Sequence, residues 1–315
     1  MNSSKKVFAA LVLCALHLGL ARMALAAEDF KGNWTLSASD QPGQVQFGLS
    51  HRMHGGHSQS ESDWPISAFQ GLDLSVKGKR DVQFTITRDA GRFSCEGYLK
   101  DSEGAGIFHF TPDASFVPSM SALGFSGIDD EKQFAMAVHD VTLDFAKQMK
   151  SEKVSGLDTD MLIAFRIHGV SQKFIREIRA EGLTGIEADK LIAYRIHGVS
   201  PEFVREVRQA GFKASEDQLV AMRIHGVTPE WIAQMKKNGY ELRSIDDMIA
   251  FRIHGVSPEF IAKIEKLGYK HPEPDQLVAM RIHGVTSEYI ANLRSRGMKD
   301  LSIDQMVSLR IHNID

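Results

Sequence analysis

The stretch RIHGVTPE at residues 223–230 decides the fold, because close copies of it recur at an almost constant interval up to the end of the chain. Its Arg-Ile-His core returns in steps of 28 or 29 residues, at 166–168, 195–197, 223–225, 252–254, 281–283 and 310–312. Self-similarity with a period of about 20 to 50 residues is typical of proteins in which equivalent units stack on one another. The sequence therefore predicts a repeat array.

The first half of each period predicts a short helix. In residues 257–264, Ser257 is the predicted N-cap, Pro258 the first helical residue and Glu259 an acid beside the positive helix end. A glycine that can leave the helix in the left-handed conformation ends each such helix. These glycines are Gly182, Gly211, Gly239, Gly268 and Gly297.

The second half of each period predicts another short helix, which begins near Ser215 or Ser302 in two of the copies. Gln218 and Gln305 follow these serines after three residues, as a capping box requires. The helix carries apolar side chains on so many sides that we expect it to be sandwiched inside the stack. In the copy that begins near Ser215 these side chains are Leu219, Val220, Met222 and Ile224.

The residue after each Arg-Ile-His core is predicted to end the second helix with a positive φ, which glycine adopts without steric cost. Residues 134–142 are a decayed first copy, since His139 lies 29 residues before His168, so we count seven copies. Asp140 replaces the glycine there, and aspartate and asparagine also tolerate positive φ. We expect positive φ at Gly169, Gly198, Gly226, Gly255, Gly284 and Asn313.

Alternating apolar and polar residues before the array predict a small antiparallel β domain. The expected strands are 33–36, 44–50, 72–76, 81–88, 91–99 and 106–110, and the polar segment 53–62 is expected to be a mobile loop. The fold class is therefore α+β, mainly α. It comprises a β domain at 28–110 and, over 111–315, an α-solenoid of about seven short helical hairpins with a 29-residue period.

Residues 1–27 predict a secretory signal peptide, because Lys5 and Lys6 precede the apolar run 7–20 and small residues follow at 24–26. We therefore expect a periplasmic or secreted protein with no integral membrane segment after cleavage. Loss of the two lysines and Arg22 would change the net charge from −3 to −6, so we expect no nucleic-acid partner. Cys95 would be the one remaining cysteine, and we expect it to be a buried core residue.

The repeated histidine could bind metal or could close its helix. Stacked helices stand about 8–10 Å apart, whereas zinc ligands lie about 2 Å from the ion, so equivalent histidines are poorly placed to share one. We expect instead that each ring donates to free carbonyl groups at the negative end of its helix. Including the first copy, the histidines are His139, His168, His197, His225, His254, His283 and His312.

The repeated arginine could bind an anion or could form ion pairs within the array. Residues 158–315 contain 22 basic and 22 acidic residues, and this neutrality favours pairing with the acids Glu202, Glu230, Glu259 and Glu288. We expect the aromatic series that shares these periods to be core. The arginines are Arg166, Arg195, Arg223, Arg252, Arg281 and Arg310, and the aromatic residues are Phe174, Phe203, Trp231, Phe260 and Tyr289.

A separate histidine motif, His51-x-x-His54-x-x-His57, lies in the segment expected to be a loop. Its spacing could collect a transition metal, or the segment could be a solvated histidine-rich loop without a ligand. The motifs of zinc peptidases, serine hydrolases, P-loop proteins and dinucleotide-binding proteins are missing from the sequence. We therefore expect no enzymatic activity and no cofactor.

The repeat L-[VI]-A-[MFY]-R-I-H-G-V-[ST]-P-E-[FWY] over residues 134–315 resembles repeats of bacterial envelope proteins, among them C-terminal extensions of membrane metallopeptidases of the β-lactam-sensor type. Residues 30–125 resemble the β region that accompanies such repeats. The resemblance implies an envelope interaction or sensory module. The zinc motif and membrane helices of those peptidases are missing from this sequence, so no catalytic residue is carried over.

The sequence thus predicts an exported, non-enzymatic scaffold that binds envelope proteins through the array. The alternative is small-ligand or metal binding by the β domain, with the solenoid as a spacer. The candidate contacts are variable basic residues of the first helices. They are Arg176, Arg179, Arg205, Arg208, Lys236, Lys263 and Arg294.

Overall fold

The computed structural model describes residues 30–53, 56–242 and 244–314. The predicted signal peptide and His54 therefore lie outside the described residues. The described chain forms an antiparallel sheet followed by helices, so the predicted fold class, α+β and mainly α, is confirmed.

The sheet has six strands among the described residues, in the order β3-β2-β1-β6-β5-β4. Alternation along the central strand β1 directs Trp34 and Leu36 into the core, where Phe47, Leu49 and Phe108 are also buried. The strands are β1 (Phe30–Ala38), β2 (Gln44–Met53), β3 (Gly56–Pro65), β4 (Lys79–Arg88), β5 (Gly91–Lys100) and β6 (Glu103–Pro112).

Two predictions for this region are wrong. Most of the expected loop 53–62 belongs to β3, which pairs antiparallel with β2 along its whole length at the edge of the sheet. Trp64 is its one buried side chain, so an exposed edge strand was mistaken for a polar loop. The expected strand at 72–76 is absent from the described structure, because Ser75 donates from its N–H and its hydroxyl to Asp73 and the segment turns.

The helices form seven consecutive pairs within the described residues. The first helices of these pairs are α1 (Phe116–Ala122), α3 (Leu143–Ser151), α5 (Gln172–Ala180), α7 (Pro201–Gln209), α9 (Pro229–Lys237), α11 (Pro258–Lys266) and α13 (Ser287–Ser295). The second helices are α2 (Asp130–Val138), α4 (Thr159–His168), α6 (Ala188–His197), α8 (Glu216–His225), α10 (Ile245–His254), α12 (Pro274–His283) and α14 (Ile303–Ile311).

The chain divides into two compact units. Of the described residues, the sheet unit takes in those from Phe30 to Ile66 together with Asp73–Gln83 and Ser94–Thr111. The helical unit takes in Ser67–Leu72, Phe84–Phe93 and the chain from Pro112 onward.

The second helices of the helical unit form one continuous row, because α4, α6, α8, α10, α12 and α14 each contact the next. First helices of neighbouring pairs also contact each other, for example α5 and α7. In the copy at 219–227, Leu219, Met222 and Val227 are buried in the core of the stack. This arrangement buries one side of each second helix against its neighbours.

The predicted ends of the helices are confirmed. The Ser257 hydroxyl accepts from the N–H of Phe260, and Ser215 with Gln218 forms a capping box. Val227 donates its N–H to the Met222 carbonyl at 2.8 Å, which satisfies a carbonyl group that the helix end leaves open. Positive φ occurs at all the expected positions. They are Gly169, Gly198, Gly226, Gly255, Gly284 and Asn313.

None of the helices in the described part of the chain is both long enough and apolar enough to span a bilayer.

The Tyr194→Phe variant should be more stable than the parent. The Tyr194 hydroxyl is buried and makes no hydrogen bond to the described residues, and burial raises its pKa. Phe165 and Phe251 occupy the equivalent position in other copies, so phenylalanine fits there. Removal of the unpaired hydroxyl should raise the free energy of unfolding by about 1 kcal/mol, as measured by urea denaturation.

The Tyr269→Phe variant is the control, because the Tyr269 hydroxyl donates to the Leu301 carbonyl at 2.9 Å. Its loss should lower the free energy of unfolding by about 1 kcal/mol. A Tyr194→Phe variant that loses stability as Tyr269→Phe does would contradict the assignment of an unpaired hydroxyl.

Candidate interaction face

The isoleucine at the centre of each Arg-Ile-His core is exposed, with 51% to 54% of its surface open to solvent. The expectation that Ile224 is sandwiched inside the stack is therefore wrong. Leu219 and Met222 take the inner side of the same helix, so Ile224 lies on the side that no neighbouring helix covers. The equivalent residues are Ile167, Ile196, Ile224, Ile253, Ile282 and Ile311.

A second apolar residue extends this exposed position along five of the helices, α4, α6, α8, α10 and α12, whereas the equivalent Val307 of α14 is buried. It precedes the exposed isoleucine by four residues and so lies beside it on the helix surface. These residues are half-buried, and each is an isoleucine or a valine. They are Ile163, Ile192, Val220, Ile249 and Val278. The row of second helices therefore presents a regular apolar stripe.

The arginine next to each exposed isoleucine links consecutive repeats. Arg252 donates from Nε to the carbonyl of His225, which ends the previous second helix, at 2.9 Å. Its guanidinium lies 5.7 Å from the ring centroid of Trp231 on the first helix between them. The other copies have Nε–O distances of 3.0 to 3.4 Å and guanidinium–ring distances of 4.8 to 5.2 Å. They are formed by Arg166, Arg195, Arg223, Arg281 and Arg310.

We define the Arg-Ile face as the repeated surface made by these arginines and isoleucines. The aromatic series beneath the arginines is partly core, as expected, since Phe174 and Phe203 are buried. Trp231 and Phe260 are only half-buried. The rings therefore also serve as platforms on which the guanidinium groups lie.

The predicted ion pairs between the repeated arginines and the first-helix acids are wrong. Hydrogen bonds from the Thr228 hydroxyl and from its own backbone N–H hold the pKa of Glu230 below its ordinary value, with a smaller effect from Arg223. Hydrogen bonds from their own backbone N–H groups and from the cap hydroxyls lower the pKa of the equivalent acids in the same way. These acids, which turn to the ends of their own helices, are Glu202, Glu230, Glu259 and Glu288.

An ion pair does form in the first copy, where aspartate replaces glycine. Arg166 Nη2 lies 2.7 Å from Asp140 Oδ2, and Arg88 Nη1 lies 3.1 Å from Asp140 Oδ1. Asp140 has a φ of 55°, so its backbone follows the same left-handed exit as the glycines. In the later copies, the arginines Arg195, Arg223, Arg252 and Arg281 form no ion pair with the described residues.

The repeated histidines contribute a carbonyl oxygen rather than a ring donor. Their rings form no hydrogen bond with the described residues, in contrast to the predicted closure of the helix by the imidazole. Burial lowers the pKa of His139, and the charge of Arg166 lowers it further, which favours the neutral ring. Within the described residues no His, Cys, Asp and Glu side chains are grouped so as to hold a metal ion.

Most of the predicted contact residues on the first helices form ion pairs or hydrogen bonds with other residues of the array. Arg176 and Arg179 each lie 2.8 Å from a carboxylate oxygen of the buried Glu152. Arg205 and Arg208 bind Glu181 in the same way in the next repeat, whereas Arg294 donates to the Leu267 carbonyl. Lys236 pairs with Glu241, and the charge of Lys263 contributes to the lowered pKa of Glu288.

The two described histidines of the His51-x-x-His54-x-x-His57 motif lie on opposite faces of the sheet. His51 is buried with its ring 6.1 Å from that of Phe30. His57 pairs with Arg52, the next residue along β2, and its Nε2 lies 2.7 Å from Ser50 Oγ on the exposed face. These two rings are therefore not placed to share one ion.

The sheet unit also contains an open groove of about 690 Å³ beside strands β1, β4, β5 and β6. Its lining includes Gly97 and Gly106, where a Cβ would lie within 2.7 Å of the Trp34 side chain, which is buried on the core side of the sheet. Glu96, Tyr98 and Ile107 are among its lining residues. Elsewhere in this unit, Cys95 is buried as expected, and burial raises its pKa to about 12.

The sequence analysis predicts neither the groove nor the exposed isoleucines. A glycine in a strand often marks a close approach of backbone to another group, so Gly97 and Gly106 could have indicated the packing of the buried Trp34 ring, whereas no such signal marks the groove. The isoleucine recurs unchanged in every Arg-Ile-His core, and this repetition could have indicated the exposed stripe.

Comparison of the chain with protein-family models, curated proteins and solved structures gives no match.

The Gly226→Ala variant tests whether the left-handed glycine also makes room for the arginine. A Cβ at Gly226 would lie 2.7 Å from Arg252 Nη2, whereas a Cβ at Gly211, which also has positive φ, meets no atom within 4 Å. Both variants should lose about 1–2 kcal/mol from the strained backbone. Gly226→Ala should lose more in urea unfolding, because Arg252 Nη2 must shift away from the added Cβ. Equal losses in the two variants would show that the position of Arg252 does not depend on the missing Cβ of Gly226.

Proposed function

We propose that the protein is a non-enzymatic interaction scaffold of the bacterial cell envelope, exported by its N-terminal segment, which binds partner proteins through the Arg-Ile face. The exposure of an isoleucine at the same position of every Arg-Ile-His core carries this proposal. Recurrent exposed apolar residues with polar residues around them mark surfaces that bind other proteins. The resemblance of the repeat to those of envelope proteins supports the location.

The side chains of the repeat support a binding role rather than a catalytic one. Arg252, for example, is engaged by the His225 carbonyl and the Trp231 ring, and the adjacent Ile253 has no reactive group. The same geometry recurs from copy to copy, so the array offers several equivalent contact points at fixed spacing. A partner that uses several of them at once gains affinity through multivalency.

Replacement of three exposed isoleucines should separate binding from folding. In the full chain, Ile196, Ile224 and Ile253 are changed together to glutamine. Each isoleucine newly buried in a complex contributes about 1 kcal/mol, so the triple variant should bind its envelope partners on the order of 100-fold more weakly. The measurement is quantitative capture from envelope extract, and circular dichroism should show the helical content of the parent.

The matched control changes Lys236 and Lys263 on the first helices to glutamine. Capture should remain within about threefold of the parent, since these changes leave the Arg-Ile face intact. Loss of capture in the lysine variant with full capture by the isoleucine variant would move the binding site to the first helices.

A second candidate function, small-ligand binding by the sheet unit, is favoured by the groove of about 690 Å³. This volume lies within the range of about 300–1,000 Å³ that small-molecule sites occupy. The Ala105→Trp variant should fill the groove, since Ala105 is one of its lining residues. A compound that raises the melting temperature of the parent should leave that of the variant unchanged. A rise in both proteins would place the compound elsewhere.

A further inference from the structure

We propose that Arg195, Arg223, Arg252 and Arg281 are carboxylate-binding positions, and that the partner which lies on the Arg-Ile face is an extended acidic segment of a protein. This inference rests on the proposed function and specifies the chemistry of the partner. Each position combines a guanidinium held on an aromatic ring, a carbonyl acceptor that fixes its Nε, and a glycine beside its Nη2.

The first copy of the repeat shows that a carboxylate fits this arrangement. Arg166 donates from Nε to the His139 carbonyl at 3.1 Å and lies 5.2 Å from the Phe145 ring centroid, as its equivalents do. Its Nη2 then binds Asp140 Oδ2 at 2.7 Å. An internal carboxylate thus occupies, in this copy, the side of the guanidinium that faces the left-handed residue.

The four later positions keep the arginine and lack the internal carboxylate. Glycine replaces aspartate there, and Nη2 of Arg252 lies only 2.7 Å from where a Gly226 Cβ would be. An arginine has five N–H donors in a rigid fork that matches a carboxylate. Because the ring and the carbonyl already hold the fork in place, an incoming carboxylate meets a group that has little freedom left to lose.

The spacing of the positions indicates how the partner must present its acids. Neighbouring second helices contact one another, and packed helices lie about 8–10 Å apart. An extended chain in the polyproline II conformation advances about 3.1 Å per residue and has three residues per turn. One acid at every third residue therefore returns to the same side of the chain after about 9 Å and matches the repeat. Apolar residues between the acids would cover the exposed isoleucines.

An acidic protein segment suits this surface better than an anionic membrane or a nucleic acid. Residues 158–315 carry equal numbers of basic and acidic residues, so the array has no net positive charge to attract a polyanion. Attraction therefore depends on the individual arginine positions. A peptide chain can alternate carboxylates, which would bind the arginines, with apolar side chains, which would cover the isoleucines.

The probe is a fluorescent peptide that repeats Glu-Ser-Ile, with one glutamate for each of the four arginines. Fluorescence anisotropy with the full chain should show saturable binding. The same peptide with glutamine in place of glutamate should bind about tenfold or more weakly, because the charge-assisted hydrogen bonds are lost. Equal binding of the two peptides would overturn the inference.

The decisive variant carries Gly226→Asp and Gly255→Asp, which place internal carboxylates beside Arg252 and Arg281 as Asp140 lies beside Arg166. These carboxylates should occupy the two guanidinium groups and weaken peptide binding about tenfold or more. Gly226→Asn and Gly255→Asn is the matched control, since asparagine also tolerates positive φ but carries no charge. The asparagine variant adds the same Cβ as the aspartate variant, so any difference between the two in peptide affinity comes from the charge. It should bind the peptide about tenfold or more tightly than the aspartate variant.

Equal peptide affinity in the aspartate and asparagine variants would overturn the inference, as would tighter binding of the parent to phosphatidylglycerol vesicles than to the acidic peptide. Either result leaves the proposed function standing if the isoleucine variant still loses capture of envelope proteins. If the aspartate variant loses peptide binding and the asparagine variant keeps it, the inference is supported even if the native partner differs in sequence from the peptide.

Discussion

The left-handed exit from each second helix is the constraint on which the array depends. At Gly226 the positive φ reverses the chain, so that Val227 satisfies an open carbonyl and Thr228 caps the next helix after a two-residue connection. The absence of a Cβ there also leaves room for Arg252 of the following repeat. The exceptions agree with this double role. Asp140 has positive φ and binds the next arginine directly, and Asn313 follows the last Arg-Ile-His core in the chain.

Arginine links consecutive repeats because a single guanidinium group makes three different contacts there. Nε donates to the carbonyl at the end of the previous second helix, the guanidinium lies over an aromatic ring, and Nη2 reaches the left-handed residue. A lysine has a point charge without a fork or a plane, so it could not make the three contacts together. One such cation–π contact contributes about 0.5–1 kcal/mol at an exposed site. In a stack where each unit touches only its neighbours, the contribution recurs at every interface.

The elements that could be predicted from sequence are those determined by local backbone chemistry. Ser257, Pro258 and Gly268 set the limits of a helix through their own φ and hydrogen-bonding groups, and the structure agrees with them. The failures depend on which neighbour covers a residue. Ile224 is exposed because the second helices form a single row, and Glu230 turns to the Thr228 cap although Arg223 lies near enough to influence its pKa. Strand β3 was missed because an edge strand that buries only Trp64 needs few apolar residues. No local pattern contains this information.

The two sides of the array differ in how regular they are, and this difference bears on where a partner binds. The first-helix side is held together in the early repeats by Glu152 and Glu181, whose side chains are 7% and 8% exposed and each bind two arginines. Ala210, Asn238 and Leu267 occupy the same position in later repeats, where no such ion pair is possible. The Arg-Ile face instead keeps one geometry through every Arg-Ile-His copy. Stacking alone can be achieved with variable contacts, as the first-helix side demonstrates. An isoleucine that leaves about half of its surface open to solvent and yet recurs unchanged is therefore better explained by a partner that itself repeats its contacts along the array.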